Sequence, residues 1–168
     1  MPTLIPKSES ALCKAIDTVL KVLSFGKLNR FMDDYVTTIG DTIYTPLSWN
    51  DWGVNTQQEV LSHEMVHIEQ QKRHGKLLFA LLYLFAPLPI LFANWRLEFE
   101  MEAYAQTCLR KFQTGGPVRQ STVNWIVEQM TGPSYLWTTI DAKKAEQLLR
   151  QKVKQITSQN IFAEGGQE

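Results

Sequence analysis

Two of the three histidines in this 168-residue chain stand four residues apart, with a glutamate beside the first: His63-Glu64-Met65-Val66-His67. Such spacing stacks two side chains one turn apart on one face of an α-helix. The flanks supply the helix. Thr56-Gln57-Gln58-Glu59 has the form of a capping box, which predicts a start at Thr56. Gly75 is a natural stop, and Lys72, Arg73 and His74 fill the last turn, where the helix dipole favours positive charge. From the residue counts of the chain, the pattern would arise by chance with a probability of about 0.3%. A chance match would have no reason to fall on a bounded helix as well.

Two imidazoles one helical turn apart can share one ion. Zinc suits them, since it takes nitrogen ligands near 2 Å and has little geometric preference of its own. Glu64 lies beside these ligands on the wheel, within reach of a water on the metal, which is where a general base belongs. A catalytic zinc needs a third protein ligand and keeps one open position. His74 shares the face but lies about 10 Å farther along the axis, too far for the same ion, and reads as a solvated cation at the helix end. With no fourth histidine, a carboxylate must serve. Glu98, Glu100 and Glu102 follow on one helix expected over residues 94–112. On that wheel Leu97, Met101, Tyr104, Cys108 and Phe112 form the core face. Glu100 sits at one edge of it, and Glu98 and Glu102 sit at the other. Carboxylates this close to a core need cationic partners, and a metal is one such partner. The wheel alone leaves the three glutamates open.

Other elements fall around these two helices. Residues 10–24 have helical spacing and end at Gly26. The run from Asp34 to Pro46 has two β-rich stretches about Gly40-Asp41, a hairpin signal. Residues 47–55 read as a loop. A short helix is expected over 121–130, closed by Gly132-Pro133, and a last one is capped by Asp141 and reaches about Ile156. The tail after Phe162 should fray. The fold class that results is α+β and mainly helical, with a small hairpin or sheet before the zinc helix and about five helices. It is one domain over 1–168, its core at about 8–158.

His-Glu-Met-Val-His followed by Phe99-Glu100-Met101-Glu102-Ala103 resembles the gluzincin zinc metallopeptidases. It is similar both to membrane-embedded prenyl-protein peptidases and to small bacterial or phage peptidase-like domains. The likeness covers residues 56–112 at most. It implies a zincin-like fold, a Zn2+ cofactor and a peptide or protein substrate. It also implies that Glu100 is the third ligand, beside His63 and His67, and that Glu64 is the catalytic base. Where such proteins carry an aspartate that supports a zinc-bound histidine, this chain has Tyr104, which can accept a hydrogen bond but brings no charge. The resemblance further suggests a tyrosine for the oxyanion, Tyr135 or Tyr44. It also suggests an edge strand for substrate pairing, for which the stretch from Asp41 to Pro46 is the candidate.

Equal numbers of basic and acidic residues, with no basic stripe, argue against nucleic acid. Cys13 and Cys108 form no paired motif and read as buried small residues. The N-terminal stretch lacks a charged-then-apolar layout, so a cytoplasmic location is expected. Residues 77–95 are the most apolar run, but Pro87 and Pro89 break it before it is long enough to span a bilayer. It is expected to pack over the zinc helix, with peripheral membrane contact as the alternative. A non-catalytic binding protein is the other alternative, and the retained Glu64 argues against it.

Overall fold

The computed structural model describes residues 2–23, 25–26, 29–84, 93–132 and 140–163. The chain divides into two compact units, Met1–Ile68 and Glu69–Glu168. The fold is α+β and mainly helical, with one small sheet.

In the first unit, strand β1 (Thr3–Pro6) leads through a 3-10 turn into helix α1 (Ala11–Leu23). A one-turn helix, α2 (Phe31–Asp34), precedes strands β2 (Thr37–Ile39) and β3 (Thr42–Thr45). The hairpin falls where the sequence places it. Gly40 takes a positive φ of 61° at the first turn position, which a side chain would resist. β1 was not legible, and it changes the sheet. It pairs in parallel with β3, so the order is β1-β3-β2. The stretch from Asp41 to Pro46 is therefore a central strand. The strand with an edge near the His63–His67 helix is β2, which corrects the expected edge.

Lys7, just after β1, is fully buried. Its ammonium donates to the carbonyls of Phe31 and Tyr35, each at 2.6 Å, and lies 3.6 Å above the Phe31 ring. It thus clips α2 and the entry to β2 onto the end of β1. Burial lowers its pKa from 10.5 to about 8, against the pull of Cys13, Glu64 and Asp17.

Residues 47–51, expected as a loop, form a 3-10 turn, and helix α3 runs from Val54 to His74. It starts two residues before the expected Thr56. The Gly53 carbonyl already accepts from the Gln57 amide at 3.0 Å, so Thr56 lies inside the first turn and is not the cap.

In the second unit, α4 (Lys76–Leu84), α5 (Ala93–Gly115), α6 (Gln120–Thr131) and α7 (Ala142–Ile156) follow. α5 carries Leu97, Met101, Tyr104 and Cys108 into the main core, as the wheel requires. α6 adds Val123, Ile126 and Met130, and α7 adds Ala145, Leu149 and Val153, each set at three- or four-residue spacing. At Gly132 a Cβ would lie 2.6 Å from the Glu128 carbonyl, so the end of α6 requires glycine. The Asp141 carboxylate caps α7 by accepting from the Lys144 amide at 2.9 Å. Beyond α7, Ile161 is fully buried and its carbonyl accepts from Val118 N at 2.7 Å, which ties the late chain to the α5–α6 connection.

α4 brings Phe79 and Leu82 against Phe99 in a second apolar cluster. His74 packs its ring 5.2 Å from that of Phe99 and 6.2 Å from that of Trp95. It is half-buried among aromatics and not solvated as expected, because α5 brings Trp95 and Phe99 against its ring. Pro87 and Pro89 lie outside the described residues. Among the described residues, no helix is long and apolar enough to cross a membrane.

Candidate metal centre

α3 is a single helix through the whole motif, so His63 and His67 stack one turn apart. Their ring centroids are 4.9 Å apart at 77°. His67 is 6% exposed and Glu100, on α5, is 1% exposed. One ligand atom from each of His63, His67 and Glu100 lies within 4.8 Å of the other two, and the group can hold a metal ion. Two imidazole nitrogens and one carboxylate oxygen are donors that suit zinc, and three protein ligands leave a position open.

The neighbouring glutamates find cations elsewhere. Glu98 pairs with Lys152 of α7. Glu102 accepts from Gln70 Nε2 at 3.0 Å and from Arg73 at 3.1 Å. Burial pushes the Glu102 carboxyl up, but the Gln70 hydrogen bond and the Arg73 charge outweigh it and hold the group below 4.5. The wheel had put Glu98 and Glu102 at one edge and Glu100 at the other. The three carboxylates part along that line: two meet protein cations, and the third joins the histidines.

Glu64 is 7% exposed. The Thr38 hydroxyl, on β2, donates to its Oε2 at 2.6 Å. No signal in the sequence marks Thr38, because a hairpin signal does not say which helix the strand will face. The register pairs Thr38 with Ile43 and Thr37 with Tyr44. Side chains alternate along a strand, so Tyr44 points to the face opposite Thr38 and Glu64. Tyr135 lies outside the described residues. Tyr104, in the aspartate's place, is 8% exposed and packs edge-on against Trp125, with ring centroids 5.9 Å apart.

Comparison with protein-family models, with curated proteins and with solved structures finds no match for the chain.

Proposed function

We propose that the chain is a zinc-dependent metallopeptidase of gluzincin type that hydrolyses peptide bonds. One observation carries the reading: His63, His67 and a nearly unexposed Glu100 converge, and the residue next to His63 is a buried carboxylate held by a hydroxyl. A structural metal site has no use for that second carboxylate.

His63, His67 and Glu100 would hold the ion. Zinc supplies a Lewis acid that polarises a carbonyl and brings the pKa of water to about 7. Glu64 takes a proton from the attacking water as its oxygen bonds to the carbonyl carbon. It then delivers that proton to the leaving nitrogen as the C–N bond breaks, so one water is consumed and Glu64 is restored. Glu64 lies next to a ligand in sequence and is buried, which suits a base that must act without competition from bulk water.

The test is incubation of the zinc-loaded chain with a denatured protein such as casein, followed by mass spectrometry of the products. New peptide termini from wild type, absent with Glu64→Gln although zinc is retained, support the reading. Intact casein and an intact proteome-derived peptide mixture, both from fully zinc-loaded protein, refute it and favour a binding role.

Peripheral membrane contact rests on a separate observation. Leu77 is 76% exposed, with Leu78 and Trp95 also exposed, around the apolar run. Flotation with liposomes containing anionic lipid tests it; Leu77→Glu should abolish flotation. Wild type that stays at the bottom of the gradient removes this reading.

A further inference from the structure

We infer that Thr38 is a positioning residue for Glu64, holding one carboxylate oxygen so that the other is the one that takes the proton. The inference rests on the metallopeptidase reading. Its basis is the contact itself: Thr38 Oγ1 donates to Glu64 Oε2 at 2.6 Å, the length of a charge-assisted bond.

Three features make this more than a chance pairing. Glu64 is 7% exposed, so it has lost most of its hydration, and a fixed donor replaces part of what water would give. Thr38 is β-branched and sits on a strand, so its χ1 angle is stiff and the hydroxyl is presented from a rigid support. That support is itself clamped. Opposite Thr38 stands the fully buried Ile43, and the lead into β2 is held by the bond from Lys7 to the Tyr35 carbonyl. The line of constraint runs from β1 through Lys7 to β2, and from Thr38 to the carboxylate.

The chemistry needs such a constraint. A carboxylate base takes a proton through one oxygen, and misplacement by about 1 Å can cost about a hundredfold in rate. With Oε2 tied to the strand, the carboxylate plane no longer rotates freely and Oε1 is the oxygen available. Strand β2 has an edge, so a ligand that engages it would act on the element that aims the base.

The experiment uses zinc-loaded protein and a dipeptide hydroxamate, a ligand that chelates zinc and hydrogen-bonds to the neighbouring carboxylate. Calorimetry gives its affinity, and zinc content is measured on the same samples. Thr38→Val should weaken binding about tenfold with zinc stoichiometry unchanged, and Thr38→Ser should restore it to within about twofold. In a Glu64→Ala background, Thr38→Val should cost nothing further, which a merely structural role would not produce. Equal affinity for wild type and Thr38→Val overturns the inference, as do equal losses in the two backgrounds. If wild type takes up zinc and binds hydroxamate while Thr38→Val is silent, only the positioning role falls. If wild type takes up no zinc, or takes up zinc but binds no hydroxamate, the positioning role is overturned in either case. The first of these results also removes the metallopeptidase reading.

Discussion

The buried side-chain amide of Gln70 donates to the backbone carbonyl of Phe99 at 3.0 Å. The same nitrogen reaches Glu102 Oε2, also at 3.0 Å. Gln70 therefore grips α5 on both sides of Glu100 in sequence. Gln70→Leu should fill the space but leave the Glu102 carboxylate short of a donor. The expected loss is about 1–3 kcal/mol in urea unfolding. Zinc affinity should fall about tenfold, because α5 loses the contact that fixes its rotation beside Glu100. An unchanged unfolding midpoint would show that the contact carries no stability.

The three glutamates of α5 should separate by function. Glu98→Gln removes only a partly exposed pair with Lys152 and should cost less than about 1 kcal/mol, with metal retained. Glu102→Gln removes the Arg73 pair and should also keep the metal. Glu100→Gln should lose it. Metal analysis after dialysis against a weak chelator decides the matter; loss of zinc in Glu102→Gln with retention in Glu100→Gln would reassign the ligand.

These assignments mark where sequence reasoning stopped. The helix that carries His63 and His67 was legible because spacing and the closing Gly75 agree. The core face of α5 was legible because an apolar period of three to four is a local property. The wheel left Glu98, Glu100 and Glu102 open, since the Lys152 and Arg73 partners of two of them lie far off in sequence; the resemblance alone pointed to Glu100. Thr38 was invisible for the same reason. β1 escaped notice because four residues ending in proline carry no strand period, and its pairing with β3 is parallel and distant. The start of α3 was misjudged by two residues because Thr56 has the chemistry of a cap, while Gly53 has the position.

Lys7 should give stability an alkaline dependence. Its folded pKa is about 8 and its ordinary value 10.5. Below pH 8 the ammonium is charged in both states, and burial makes that charge costly in the folded one. Between about 8 and 10.5 the unfolded chain holds more of the proton, so raising the pH favours the fold. Relative to Lys7→Met, wild type should gain stability across that window in urea titrations. A constant difference between the two proteins from pH 7 to 10.5 would show that the lysine is not perturbed.

Glu102 works in the opposite sense at acid pH. Its folded pKa lies below 4.5, so its contribution is present above that value and is lost as the pH falls through the folded pKa. The stability gap between wild type and Glu102→Gln should be constant from pH 7 to 5 and close below about 4.5. A gap that persists unchanged to pH 2 would exclude ionisation as its source.

Cys108 should be inert in the native protein. It is fully buried, and burial pushes its thiol up to about 12. Iodoacetamide at pH 8 should leave Cys108 unlabelled until denaturant unfolds the second unit. Rapid native labelling would mean that the α5–α6–α7 core opens readily.

Zinc content is the most direct measurement of all. Apoprotein prepared with chelator, reloaded and desalted should bind one zinc per chain by elemental analysis. His63→Ala, His67→Ala and Glu100→Ala should each lose it, and Glu64→Gln should keep it. A wild-type chain that is folded yet takes up no zinc, or that holds zinc equally well without His67 or Glu100, is the finding with which a metal centre at these residues cannot be reconciled.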